Sequence, residues 1–563
     1  MFDLNEAINN LKKSIELIKQ EKIDEAENIL LNLSNFKEIK ADTFLYLGIC
    51  NVKKNKKIVA IDYLKKSLRF KPEHEYSNLN LGLIYFENKQ YELSLNFIKK
   101  TLSLNENNKL ANYHVGLIYI ILEKYKEAEK YFKKLILLNS EDQNALLNLG
   151  IVYNKLKMHQ DSIEIFNKLI KLNPKNIYAY NNLGTTYNEN SNYEKAIDCF
   201  NQCNKINPNY LPAYSNLGIT YSELKEFDKA LKYFNRTVEN NKDDYNSLFA
   251  IGKINLSVGN YNEGFNYYEY RKYINSPDTL KFINQNFKSK EWKGENIEKK
   301  KILIISEQGF GDTIQFSRYL LPLIENNKVT FVINKKLNFI FRNLGISLIN
   351  NIKLASEHDY YQFLLTLPKL YYEKNKGFLK NHNFITSDQN IDDKWSKRIN
   401  NSKKIKVGIF WQGNKNYYGD NKRSIPLFEF EKIINNDKCK VISLQKGFGE
   451  EQIIKNAFEN NILNLSSEID NDKDAYKDSI SILKNLDLLI TCDSSLVHLA
   501  GTMNINTWVV LCYNHDWRWY VDKKNPTFYK SVKIFDQKFP GDWKSVFQKI
   551  NFELENKIRQ LNI

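Results

Sequence analysis

Through the first 272 residues the apolar positions return with a period of 34. Glycines stand at 48, 82, 116, 150, 184, 218 and 252, each directly behind Leu, Val or Ile. Twelve positions further on comes a small residue (Ala60, Ser94, Ala128, Ser162, Ala196, Ala230, Gly264). Sixteen positions on comes a bulky one (Leu64, Ile98, Phe132, Phe166, Phe200, Phe234, Tyr268). This pattern predicts two antiparallel helices per unit. They approach at the glycine and the small residue, and the large side chains fill the space between them. Ser14, Ala26 and Leu30 keep the register without the glycine, so residues 1–40 read as an atypical, capping first repeat of about eight.

The array resembles the tetratricopeptide repeat. The resemblance implies a superhelix whose concave groove holds a peptide or protein segment. Asn181, Asn182 and Asn216, just ahead of the Leu–Gly pairs, stand where such arrays contact a partner's backbone, although Asn is abundant throughout.

After Lys272 the period is lost, and residues 273–299 read as a connector. Beyond it the pattern becomes short continuous apolar runs separated by helical stretches, as in parallel sheets buried on both faces. The first set is KILIISE (301–307), KVTFVIN (328–334), SLIN (347–350) and YYQFLLT (360–366). The second is KIKVGIFWQGN (404–414), CKVISLQKG (439–447), LDLLITCD (486–493), TWVVLCY (507–513) and VKIF (532–535), closed by an amphipathic helix over Trp543–Leu561. The expected fold class is therefore an α-helical repeat solenoid followed by an α/β domain of two Rossmann-like lobes. The expected divisions are 1–272 for the array, 273–299 for the connector, 300–395 for the first lobe and 403–563 for the second. Ligands of such lobes bind in the crevice outside the carboxyl ends of the strands.

Composition agrees with this picture. Hydrophobic residues make 42% of the 563, which excludes a wholly disordered chain, and ten Pro with 21 Gly are too few for a turn-dense β architecture. The 82 Lys and Arg against 66 Asp and Glu give +16, but without a strongly basic block, so nucleic acid is not an expected partner. Six Cys form no CxxC pair, which suits a reducing compartment. No apolar run near the start or elsewhere approaches a membrane span, and the expected location is the cytoplasm.

Gly309-Phe310-Gly311 lacks the third glycine of a dinucleotide fingerprint, with Ile314 and Gln315 in that region, so no dinucleotide cofactor is expected. DNDKDA at 470–475 fails as a calcium loop, because Ala475 replaces the turn glycine and Ser481 the bidentate Glu.

The segments SEQGFGDTIQFSRYL (306–320), GIFWQGN (408–414), NKRSIPL (421–427), SLQKG (443–447), ITCDSSLVHLAGTMNINTWVVL (490–511), DWRWY (516–520) and PGDW (540–543) occur in order. Together with the array they resemble bacterial tetratricopeptide-repeat proteins that carry a glycosyltransferase domain. That domain is similar to the lipopolysaccharide heptosyltransferases (glycosyltransferase family 9-like) and has the two-lobed GT-B fold. The resemblance implies an inverting, metal-independent transferase that takes a nucleotide sugar as substrate, needs no cofactor and glycosylates a glycan or protein acceptor. The array also resembles that of the protein O-N-acetylglucosamine transferases, which implies UDP-linked donors. The rival expectation is a non-catalytic repeat scaffold whose α/β domain binds a nucleotide sugar or glycan.

On this resemblance Asp312 is the base that deprotonates the acceptor, with Glu307 as the other candidate; the bland alternative is that Asp312 caps a helix. Gly309 and Gly311, in the same loop, are expected to bind the donor. Lys422 and Arg423, in a loop before a helix, are either cations for the donor diphosphate or a solvated basic loop. The family has Trp–Pro after its Lys–Arg, where Ser424-Ile425-Pro426 stands here. Asp493, Ser494, Ser495 and His498, at a strand end and helix start, read as an anion site; His498 contacts phosphate or sugar, or is a core histidine bonded to Asp493. Gln412, Gly413 and Asn414 approach the donor. Trp517 and Arg518 stack on base or sugar, or pack between lobes.

Overall fold

The computed structural model describes residues 4–355, 357–379, 383–400, 402–414, 419–520 and 528–560. The chain divides into two compact units, Met1–Ala213 and Tyr214–Ile563.

The first unit is built of helix pairs, from Leu4–Lys19 with Ile23–Leu33 to Ile177–Glu189 with Tyr193–Ile206. Its helices meet where the 34-residue pattern requires. A Cβ on Gly48 would lie 2.7 Å from Leu64, and one on Gly150 would lie 2.5 Å from Phe166. Both distances are shorter than contact, so the glycines are set by the ring or branched chain sixteen positions later. Gly150→Ala is expected to destabilise the chain by about 1–3 kcal/mol through overpacking. Thermal unfolding followed by helical circular dichroism measures it, and a curve that overlays the wild type would refute the packing rule.

A second periodicity lies in the backbone. Glu21, Asn55, Lys89, Glu123, Lys157, Ser191 and Lys225 all have positive φ between 57° and 63°, at the same 34-residue interval, and Gly259 is next in the series. Each sits in the turn between the two helices of a pair, where a left-handed residue ends the first helix.

In the second unit the last helix pairs end at Tyr261–Tyr268. The division between units thus falls earlier than the loss of the 34-residue pattern. Phe265 and Tyr268 pack with Trp517, and Glu269 and Arg271 join the ion network of the α/β part, which ties these last repeat helices to the sheets. The stretch 273–299 is more than a connector. It holds the helix Pro277–Asn286, whose buried Ile283 packs on Leu303, Ile305 and Phe363, and an edge strand.

Eleven strands are described: β1 Lys290–Glu291, β2 Lys301–Ile305, β3 Lys328–Val332, β4 Ser347–Ile349, β5 Tyr360–Phe363, β6 Ile405–Phe410, β7 Cys439–Ser443, β8 Ile462–Asn464, β9 Leu488–Cys492, β10 Thr507–Leu511 and β11 Val532–Asp536. They form two sheets, in the orders β1-β5-β2-β3-β4 and β11-β10-β9-β6-β7-β8, and every pairing is parallel. The second order is the doubly wound 3-2-1-4-5-6, and β2 to β5 follow its first four places. The chain reverses direction across the sheet between β2 and β5, and again between β6 and β9. Asp312 follows β2 on the first turn of the next helix, and Gln412 and Asp493 lie in the loops that leave β6 and β9. The closing helix runs over Trp543–Gln560, and Leu561 lies outside the described residues. No helix among the described residues is long and apolar enough to cross a membrane.

Candidate functional site

The loop after β2 turns at Gln308, a non-glycine with φ 62°, into the helix Phe310–Phe316. Gly309 is the cap residue, and Asp312 sits on the first turn with its Oδ2 accepting from Gly309 N at 3.2 Å. Asp312 is thus not the N-cap itself but the third helical residue, and one of its carboxylate oxygens reaches back to the cap. The other is bonded to Arg518 Nη2.

Arg518 comes from the turn Trp517–Trp519 after β10. Its backbone N–H donates to Asp516 Oδ1 at 3.1 Å, its Nε lies 3.3 Å from the same oxygen, and its guanidinium lies over the Phe316 ring at 5.3 Å. A carboxylate from one sheet is thereby joined to a cation from the other. Burial raises the Asp312 carboxyl above its ordinary value, while the Arg518 charge opposes that shift.

The helix Ser495–Thr502, which follows β9, packs against Phe310–Phe316. Gly311 permits the approach: a Cβ there would meet His498 Cδ2 at 2.9 Å and Ser495 Cα at 3.3 Å. Ser494 is the cap residue and its hydroxyl pairs with Thr491 at 3.4 Å, while Ser495 Oγ accepts from the Tyr476 hydroxyl at 2.6 Å. Tyr476 holds φ 65°, a strained conformation for an aromatic residue, in a segment with no motif to mark it.

Asp493 is pushed up to about 6, first by burial and then by Asp516, against the pull of Arg518 and Arg423. Its folded value lies above the unfolded one, so the stability it contributes is complete below about pH 4 and is lost as pH rises through about 6. Asp493→Asn is accordingly expected to stabilise the chain at pH 7.5 by about 1–3 kcal/mol and to have little effect at pH 4. Urea unfolding at the two pH values measures this. Equal effects at both would contradict the assignment.

Just after β6, Trp411 N and Gln412 N both donate to Gln445 Oε1, at 3.3 and 3.0 Å, and Gln412 Oε1 accepts from Gln452 at 2.9 Å. Gly413 lets the Asp420 and Arg423 side chains come close: a Cβ there would lie 2.4 Å from Asp420 Oδ1 and 2.6 Å from Arg423 Nη2. Asn414, beside it, is exposed. Lys422 and Arg423 do not lie in an open loop. They close the one-turn helix Asp420–Arg423, in which Arg423 Nε donates to Asp420 Oδ1 at 2.9 Å, and a 3-10 turn at Leu427–Phe430 follows. Lys422 Nζ lies 3.0 Å from Glu223, on the repeat helix Leu211–Glu223.

Three expectations change. Glu307 is not free to act as a base: its side chain is fully buried and Oε1 accepts from Arg271 Nε and Nη2 at 2.9 and 2.7 Å. The Trp517 ring is packed inside the protein. It is 2% exposed, with Phe265, Tyr268, Phe316 and Phe528 around its ring. His498 is a core residue, 3% exposed and stacked on Trp519, but its Nδ1 meets the Tyr529 hydroxyl at 3.1 Å instead of Asp493. Burial, with Arg518 and Arg318 nearby, holds its pKa well below the ordinary value.

The structure thus brings Asp312, Arg518, Asp493 and Arg423 into one charged cluster at the carboxyl ends of both sheets. Sequence reasoning missed Asp516 and Asp420, which hold Arg518 and Arg423, and Tyr476, which bonds Ser495 beside the cluster. A cavity of about 960 Å³ opens elsewhere in the same unit, lined by Lys272, Tyr273, Lys281, Glu291 and Gln362 and by no member of the cluster.

The tetratricopeptide-repeat family matches residues 116–177 and 177–243, and the family described as anaphase-promoting complex, cyclosome, subunit 3 matches 54–135. Residues 54–243 therefore carry tetratricopeptide repeats. Protein FlbA of Caulobacter vibrioides is 21% identical over 331 residues, 54% of each chain, so the chain spans about half the length of this curated relative. A tetratricopeptide repeat protein from Parabacteroides merdae is similar at 20% identity over 44% of this chain and 97% of its own, with a TM-score of 0.34. YrrB, described as a TPR protein with an unusual peptide-binding site, is similar at 24% identity over 33% and 96%, with a TM-score of 0.29.

Proposed function

We propose that the α/β part of this chain is a GT-B glycosyltransferase that moves a sugar from a nucleotide-sugar donor to an acceptor hydroxyl, and that its repeats recruit a protein partner or the acceptor, a glycan or a protein. The observation that carries this reading is the contact of Asp312, at the carboxyl end of one doubly wound sheet, with Arg518 at the carboxyl end of the other. Donor phosphates suit the second sheet's side of the contact, where Arg423, Arg518 and the start of the helix Ser495–Thr502 converge.

In the proposed step the acceptor hydroxyl gives its proton to the Asp312 carboxylate, and its oxygen attacks the anomeric carbon. The bond from that carbon to the diphosphate breaks, and the electron pair leaves on the diphosphate. Arg518 and Arg423 meet the charge that develops there. Lys422 joins them if its pairing with Glu223 opens. One displacement inverts the anomeric centre.

A second reading, a repeat scaffold whose α/β part binds a nucleotide sugar or glycan without turnover, has one observation in its favour. Lys422, Arg423 and Arg518 each already face a carboxylate: Glu223, Asp420 and Asp312. The test is a panel of nucleotide sugars incubated with the purified chain and a cell extract as acceptor source, with released nucleoside diphosphate as the readout. The transferase reading expects release from one donor and a loss of about 10²–10³-fold in Arg423→Ala. No release from any donor would overturn it.

A further inference from the structure

We infer that Arg518 is shared between the base and the donor: in the unliganded chain it holds the Asp312 carboxylate, and a bound diphosphate takes its place, so that donor binding releases the base. This inference rests on the transferase reading above and adds an order of events to it.

The arm of Arg518 is held in place, with its side chain 10% exposed and its outer Nη2 on Asp312. Asp516 receives the backbone N–H, and Phe316 lies beneath the guanidinium. Nε is buried and 3.3 Å from Asp516, yet it lacks the alignment of a hydrogen bond. The guanidinium therefore spends Nη2 on Asp312, while Nε makes no hydrogen bond. A diphosphate offers more acceptor oxygens and more charge than one carboxylate, and the planar fork of Arg matches it in a bidentate way.

Asp312 cannot be displaced far, because its Oδ2 stays on Gly309 N–H. What changes is that Oδ1 loses its cation. A carboxylate held by a guanidinium is a weak proton acceptor; freed of it, the same group in the same buried place accepts a proton more readily. Arg518 is in this sense a positioning residue for the base, and the pairing keeps the base idle until the leaving group is bound.

The inference makes a prediction opposite to that of a purely structural ion pair. Removal of the Asp312 charge leaves Arg518 without its internal anion, so nucleoside diphosphate should bind more tightly. In isothermal titration of the full chain with ADP, UDP and GDP at low salt, Asp312→Asn is expected to bind its preferred diphosphate about tenfold more tightly than the wild type. The gain should vanish when Arg518→Ala is added. Asp312→Ala gives the same readout if the Asn variant does not fold.

Equal or weaker binding by both Asp312 variants, with transfer lost only in them, would overturn this inference and leave the transferase reading standing. A gain that survives Arg518→Ala would also overturn it. No binding of any of the three diphosphates to any of the proteins would sink both.

Discussion

Asp312→Asn is expected to lower sugar transfer by about 10²–10⁴-fold, the usual contribution of a positioned general base. The substitution is nearly isosteric, and the amide oxygen still accepts from Gly309 N–H, so the cap of the helix Phe310–Phe316 is kept. The loss should therefore fall on kcat, with the KM for donor unchanged or lower, because a carboxylate that competes with the diphosphate has been removed. Circular dichroism should overlay the wild type. Steady-state release of nucleoside diphosphate measures the effect, and a variant within about threefold of the wild type would show that Asp312 is not the base.

Arg271→Ala is expected to cost about 3–5 kcal/mol, because it leaves buried carboxylates without their cation. Arg271 is fully buried and donates to Glu307, to Glu269 at 2.7 Å, to Thr366 at 2.9 Å and to the Tyr268 carbonyl at 3.1 Å. Glu307 Oε2 is already buried without a hydrogen-bond partner, so little else remains to stabilise its charge. In the wild type Glu269 is held down at about 2 against the cost of burial by Arg271 and Lys272. Its contribution is present above about pH 4.5 and lost as pH falls through about 2. In the variant both carboxyls lose that support and their values rise, so the deficit should be smaller at pH 5 than at pH 8. All seven Trp residues lie at or beyond Trp292, and their fluorescence during urea unfolding therefore reports on the second unit alone. A loss under 1 kcal/mol, or no dependence on pH, would contradict the buried network.

How much of this was legible in the sequence differs by element. The repeat was legible, since the glycines from Gly48 to Gly218 each answer a side chain sixteen positions away, and Gly252 meets the backbone of Tyr267 and Tyr268 at the same offset. The strands that could be read were those buried on both faces, such as LLITC at β9 and TWVVL at β10, where a continuous apolar run has no alternative explanation of that length. Two edge strands could not be read: β1 is an exposed Lys-Glu pair and β8 spans three residues. The left-handed turn residues left no trace either, because Glu, Asn, Lys and Ser share the position and the backbone, not the side chain, is what recurs.

In the candidate site, the residues at strand ends were readable because strand, glycine and helix start lie close in sequence. The pairing of Asp312 with Arg518 was not, for 206 positions separate them. Separation along the chain also hid the commitment of Glu307 to Arg271, and the aromatic shell of Trp517 is drawn from four separate segments. Chemistry-bearing residue types were visible; which of them neutralise one another was not.

The central claim is a single displacement of diphosphate by an acceptor oxygen, assisted by Asp312. Its most direct measurement is the anomeric configuration of the first-formed product, read by proton nuclear magnetic resonance of the purified chain with the donor and acceptor that support release. The account predicts a glycoside whose configuration is opposite to that of the donor, formed about 10²–10⁴-fold more slowly by Asp312→Asn. A product that keeps the donor's configuration, or an inverted product formed at an undiminished rate by Asp312→Asn, would contradict it.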